Sequence, residues 1–427
     1  MLARTPISLW ILLAAGLAAR LLVVHWSSGI ELILDEVNYL DYGAHLLENG
    51  RLPGAFRPPG YPGLIALTQA AFGEDPAAIR AVQALVATIA GWLCFHWLRP
   101  HIGQTGALVS TALWCMHPVL IGFTHLIWTE TLFLSLLLAF FHAATPVGPL
   151  TLRRTALAGA IYGFAALTRS VLTPFAWIAP LFVVIQPAAW RLRERPALRA
   201  VVFLAAFGLT IAPWAAHNIE VEDRFIVTET TNGYNLWKGN TPWEHPFATE
   251  APQYPGPIVS IPMFPYEGSG PKLTAFCEAK HDDEAPFTRW HLSRCARSMA
   301  LDYIQSDFLG FLARGPAKLA HAFHPSNLIS RHYWLGMYKN FPTAWAPLLI
   351  WGTAGCTYII LGMGLWGFIR VRTKPLPVLL LGVAMAQAAV IFITFGNTRF
   401  RLPIVLVAIA LAGWGFARTP ETKTSVP

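Results

Sequence analysis

The sequence predicts an all-α polytopic membrane protein, with about ten transmembrane helices and two outer segments carrying short interfacial helices. Three observations predict it. Of 427 residues, 55% are hydrophobic and 13% charged, with a mean hydropathy of +0.47, whereas about a quarter of an ordinary globular domain is charged. Such a chain cannot cover a water-facing surface, which excludes a soluble multidomain protein and a disordered one alike. Apolar runs of about 20 residues, the length that spans a hydrocarbon core of about 30 Å, recur along the chain. The net charge of +8 comes mostly from Lys and Arg in short connections between those runs, so topology explains it without a nucleic-acid partner.

The runs begin near Ile7, Ala77, Gly103, Leu126, Thr155, Val171, Leu198, Ala346, Leu376 and Arg401. The first lacks a convincing small-residue cleavage site and is read as an uncleaved helix, although Arg20 interrupts it. If the helices alternate, Arg4, Arg99, Arg153, Arg154, Arg191 to Arg199, Arg370 to Lys374, Arg418 and Lys423 share one side, the cytoplasm. Three regions follow: a transmembrane module over 1–216 with an outer segment at 26–75, a large outer loop over 217–345, and C-terminal helices over 346–427.

In the first outer segment Val37, Leu40, Ala44 and Leu47 recur at helical spacing, with Asn38, Asp41, His45 and Glu48 opposite. This describes a helix lying in the membrane surface and ending at Asn49 and Gly50. Arg57-Pro58-Pro59-Gly60-Tyr61-Pro62 follows as a stiff extended turn, since each proline removes a donor and restricts its predecessor. A second short helix is expected over 63–72.

Several side chains are candidates for chemistry. Asp35 and Glu36 fall at the water–membrane boundary, where a carboxylate stays ionised and can act as a base; an N-cap at the surface helix is the plainer, compatible reading. Glu130 starts the fourth span or sits just within it, where an ionisable group is a functional candidate. Arg57, held by two prolines, offers a rigid fork suited to phosphate. Arg399 and Arg401 form a cationic pair at the mouth of the last span, where positive-inside statistics disfavour arginine. Arg169, at the hairpin after the fifth span, either snorkels or joins them. The run Thr231 to Asn240, with Asn235, Trp237 and Asn240, reads as a glycine-rich loop that can stack on a sugar and bond its hydroxyls. The outer-loop histidines (His217, His245, His281, His291, His321, His324, His332) show no zinc-ligand spacing, so neither a metal nor a cofactor is expected.

These pieces occur in the order seen in a known family. Asp35-Glu36-Val37-Asn38-Tyr39, the Arg57 to Pro62 turn, Thr129-Glu130, Leu167-Thr168-Arg169, Ala212-Pro213-Trp214 to Asn218, Asn235 to Asn240, and Arg399-Phe400-Arg401-Leu402-Pro403 together resemble the C-type superfamily of membrane glycosyltransferases. The likeness is to the bacterial branch related to protein O-mannosyltransferases and lipid A aminoarabinose transferase. The resemblance implies an enzyme of the bacterial inner membrane with its active site facing the periplasm, and inversion by direct displacement is expected because nothing in the sequence suggests a covalent relay. Such an enzyme moves a sugar from a polyprenyl-phosphate donor to a lipid, glycan or protein acceptor. It implies Asp35 as the base, Glu36 as a neighbouring essential acid, and Arg57 on the donor phosphate; from their charge and place, Arg169, Arg399 and Arg401 are expected to add to the phosphate site. Tyr61, Glu130, Asn235, Trp237 and Asn240 are expected to bind substrate. His217 departs from the family, whose members often carry Arg before the asparagine. A polytopic transporter or a non-catalytic lipid-binding subunit of envelope assembly is the competing reading; transporters, however, place binding groups near the midplane, often in repeats, and no repeat is evident.

Cys94, Cys115 and Cys356 lie in apolar runs, where a thiol acts as a small hydrophobe. Cys277 and Cys295 share the large outer loop, and in an oxidising compartment they should pair, closing a loop worth about 3 kcal/mol.

Overall fold

The computed structural model describes residues 5–27, 29, 31–32, 35–240, 269–281, 287–325 and 346–417. His245, His332, Arg4, Arg418 and Lys423 lie outside them. Six helices there are long and apolar enough to cross a membrane: Ile7–Trp26, Pro76–Met116, Pro196–Glu222, Trp351–Val371, Pro375–Ile393 and Thr398–Gly415. Glu130–Ala144 is a shorter apolar helix. The protein is therefore an all-helical, multi-pass membrane protein, but six helices rather than about ten meet the length criterion.

The first long helix, α1 (Ile7–Trp26), carries the awkward Arg20 fully buried. Its guanidinium donates to the carbonyls of Cys115 (2.8 Å), Gly16 (3.0 Å) and Trp114 (3.3 Å). A helix leaves its last carbonyls without partners, and Arg20 fills that need for a neighbouring helix.

After α2 (Asp35–Asn49) and α3 (Gly60–Phe72), α4 (Pro76–Met116) turns back on itself at Gly103, whose φ of 78° is cheap only for glycine. The Trp114 indole donates to the Ala87 carbonyl at 2.8 Å across 27 residues of sequence. In a straight helix rising 1.5 Å per residue they would lie about 40 Å apart. One hairpin thus supplies both runs expected from Ala77 and Gly103.

Then come α5 (Pro118–Phe123), α6 (Glu130–Ala144), α7 (Leu152–Thr168), a 3-10 turn (Ser170–Phe175), α8 (Leu181–Val184) and α9 (Pro196–Glu222). The run from Val171 is not one span. Pro174 interrupts it and Pro180 precedes α8, so the backbone lacks the donors to continue a helix.

The next group is α10 (Asn232–Asn240), α11 (Ser269–Ala279), α12 (Arg289–Ser306) and α13 (Phe308–Ala322). Helices α10 to α12 form a small core of their own from Trp237, Leu273, Leu292, Ala296 and Ala300, closed by the Cys277–Cys295 disulfide. The expected pairing is present. The chain continues as α14 (Ala346–Val371), α15 (Pro375–Ile393), a 3-10 turn (Thr398–Arg401) and α16 (Leu402–Gly415). Almost every residue of α16 is buried, and Ser110 of α4 donates to its Ile409 carbonyl at 2.8 Å.

Candidate active site

Asp35 opens α2, and both its oxygens are engaged. Oδ1 accepts from Arg57 Nη2 at 2.5 Å, and Oδ2 from Arg399 Nη1 at 3.1 Å. These arginines come from opposite ends of the chain. Arg57 is set by the Pro58-Pro59 turn and lies over the rings of Tyr39 and Phe56, each centroid 4.8 Å away. Arg399 is set by the 3-10 turn after α15, where the Asn397 side chain accepts from its backbone N–H. It packs on Trp128 and Phe400. Burial pushes the Asp35 carboxyl up, but the Arg399 and Arg57 guanidiniums outweigh it and hold it at about 2.

Glu130 opens α6, as expected, and is buried. Its Oε1 accepts from Arg169 Nη1 at 2.5 Å and lies 3.7 Å from Arg399 Nε. Arg169 caps α7 and rests on Phe400 and Phe133 instead of reaching outward. Asp35, Arg57, Arg399, Glu130 and Arg169 thus form one chain of alternating charge. Three guanidiniums against two carboxylates leave it one positive charge in excess. Asp35 keeps a quarter of its side chain accessible and Arg399 nearly as much, so an anion can reach the cations.

Glu36 stands apart from this chain. It is buried, accepts from the Ile127 backbone N–H at 2.9 Å, and faces Arg80 at 3.6 Å. It ties the start of α2 to the segment before α6. Tyr61 is likewise fully buried. Its hydroxyl donates to Gln83 Oε1 at 2.9 Å, while the Gln83 amide donates to the Thr124 and Leu126 carbonyls. Tyr61 meets Tyr39 edge-on at 4.9 Å, so it braces the wall behind Arg57.

Two expectations of place are corrected. Residues 232–240 are a helix, not a loop: Gly233 and Gly239 serve close packing, since a Cβ would strike the Ser293 carbonyl oxygen at 1.9 Å and the Thr394 carbonyl oxygen at 1.7 Å. Trp237 is buried in the core of α10 to α12, Asn240 is buried, and Asn235 is half-buried. Asn240 Oδ1 accepts from the buried Lys318 ammonium at 2.7 Å, and its amide donates to the Ile393 carbonyl at 2.9 Å. Arg401 does not join Arg399. It is buried and donates to the Ala322 and His324 carbonyls at the end of α13, because successive residues of a tight turn point in different directions.

Arg80, Gln83 and Lys318 escaped the sequence reading. Arg80 and Gln83 were detectable as polar residues within an apolar run; Lys318 had no such signal, since its burial is made by α10 and α15 closing over α13. Among the described residues no group of three or more His, Cys, Asp or Glu side chains is placed to hold a metal ion.

Residues 56–216 match the profile of the family described as dolichyl-phosphate-mannose-protein mannosyltransferase. That match covers a little over a third of the chain and falls on the stretch that carries most of the ordered motifs. More particularly, its matched stretch is similar to the protein mannosyltransferases, and it spans Arg57, Glu130 and Arg169 of the cluster. A search of curated proteins finds no match. Among solved structures the chain is similar to ArnT from Cupriavidus metallidurans bound to undecaprenyl phosphate, at 13% identity and a TM-score of 0.42, covering 95% of this chain and 77% of that one. It is also similar to the archaeal oligosaccharyltransferase AglB from Archaeoglobus fulgidus in complex with an inhibitory peptide and a dolichol-phosphate, at 13% identity and a TM-score of 0.44, covering 94% of this chain and 50% of that one.

Proposed function

We propose that this protein transfers a sugar from a polyprenyl-phosphate donor to an acceptor nucleophile, with inversion, at the outer face of the bacterial inner membrane. The observation that carries the reading is Asp35 held between Arg57 and Arg399. A carboxylate held at about 2 is a poor base. A donor phosphate competes for the same guanidiniums, and Arg forks bind phosphate as well as carboxylate. As the phosphate draws Arg57 and Arg399 toward itself, Asp35 loses its positive neighbours and becomes more basic. Binding of the donor thereby switches on the base.

Asp35 then accepts the proton of the acceptor nucleophile, whose heteroatom bonds to the anomeric carbon. The carbon–oxygen bond to phosphate breaks, and the departing polyprenyl phosphate keeps the electron pair. It leaves as a stable anion, so fixed positive charge suffices and no general acid is needed. Glu130 holds Arg169 and Arg399 in place for that charge. Glu36 acts on the rate through the position of α2. The Cys277–Cys295 pair supports an oxidising compartment for the outer segment.

Transfer from a radiolabelled polyprenyl-phosphate sugar, followed in purified protein, tests the reading. Asp35→Asn should retain donor binding and lose turnover by about 100-fold or more. Turnover within a few fold of wild type removes Asp35 from the chemistry.

A further inference from the structure

Glu229 lies in the short segment between α9 and α10 and belongs to none of the groups above. That segment is firmly held. The Asn218 amide donates to the Ile226 carbonyl at 2.8 Å, the Trp214 indole to the Thr228 carbonyl at 2.6 Å, and the Thr230 N–H to the Ala55 carbonyl at 3.1 Å. Ala55 is two residues before Arg57. On the other side, Ser170, which follows Arg169, donates its hydroxyl to Glu229 Oε1 at 2.5 Å, and Thr231 donates to the same oxygen at 2.5 Å. Glu229 therefore stands between the turns that carry Arg57 and Arg169, and its charge strengthens the hold of Arg57 on its proton.

Two hydroxyls pin one carboxylate oxygen, while Oε2 receives no hydrogen bond from any described residue. Glu229 is half-buried, and Oε2 is not among the fully buried polar atoms without a partner, so that oxygen is accessible. A carboxylate repels phosphate, and beside guanidiniums placed for an anion it weakens the attraction unless it serves another part of the ligand. The groups it suits are hydrogen-bond donors.

We propose that Glu229 Oε2 reads a hydroxyl of the sugar being transferred or of the acceptor, as a specificity carboxylate at the edge of the cationic cluster. This rests on the glycosyl-transfer reading above. Glu229→Gln is the informative variant. The pinned oxygen, facing two donors, stays the amide oxygen, so the open position changes from a charged acceptor to a neutral donor with no change of shape.

Binding of a polyprenyl-phosphate sugar and of the sugar-free polyprenyl phosphate to purified wild type and Glu229→Gln is measured side by side, together with the KM for acceptor. Loss of one charge-assisted hydrogen bond predicts about tenfold weaker binding of the sugar-loaded donor, with the sugar-free lipid bound within about twofold. Unchanged binding of both lipids with a tenfold higher acceptor KM assigns the hydroxyl to the acceptor and supports the proposal. Equal weakening of both lipids makes Glu229 a structural prop and overturns it, as does a variant indistinguishable from wild type in all three measurements. If wild type itself binds neither lipid, the glycosyl-transfer reading falls first and takes this one with it.

Discussion

Arg20 is buried and Arg57 partly so, yet they are satisfied in different ways. Arg20 donates only to backbone carbonyls, is inaccessible, and caps the end of a neighbouring helix. Arg57 shares a carboxylate with a second arginine and sits at the edge of a cluster with one positive charge in excess. The first arrangement has no substitute for its partner, because carbonyls at a helix end cannot leave. The second can exchange its carboxylate for another anion. Burial of an arginine therefore does not mark function; the kind of acceptor does.

The comparison breaks most visibly at Arg20. Arg20→Met should lower stability by about 1–3 kcal/mol, the cost of leaving buried carbonyls without donors, while turnover per folded molecule stays within about threefold of wild type. Denaturant unfolding in detergent, scored beside activity, measures both, and an undiminished stability would mean the carbonyls find other donors.

Arg57→Lys sharpens the other half. It keeps the charge but loses the fork and the ring stacking, so donor affinity should fall about tenfold with little change in the unfolding midpoint. A large stability loss at this position would make Arg57 another cap.

The smallest effect is in acid. Asp35 is held at about 2, below its ordinary 3.8, so the folded state binds its proton less readily than the unfolded one. The stability this gives is complete above pH 4 and is lost as pH falls toward 2. Wild type should lose stability across that window more steeply than Asp35→Asn. Parallel curves would show that Asp35 is not ion-paired in solution.

Much of the scaffold was legible because its signals are local. The amphipathic spacing over 37–47 gave α2, and the prolines at 58 and 59 marked a turn, but the extended stretch expected over 57–62 is shorter: α3 already starts at Gly60, with Pro62 in its first turn, where a missing N–H costs nothing. Local signals also placed acids at the starts of α2 and α6. What escaped depends on distant partners. Nothing near Arg401 tells that its guanidinium turns to the end of α13 while Arg399, two residues earlier, turns to Asp35. The glycines of α10 read as a loop because the carbonyls they accommodate, on Ser293 and Thr394, lie far along the chain. The runs expected from Ala77 and Gly103 are the two arms of one helical hairpin, but the direct fold-back at Gly103 is set by a positive φ that the apolar pattern does not announce.

Asp35 and Arg399 are 364 residues apart in sequence, and membrane chains are synthesised from the N-terminus. The carboxylate and its first arginine are made early, whereas the second arginine arrives only after α15. For most of biosynthesis the nascent protein thus holds half of an ion-binding constellation and has nothing with which to complete it. The cluster is therefore complete only once the turn after α15 has been made and has folded back onto α2.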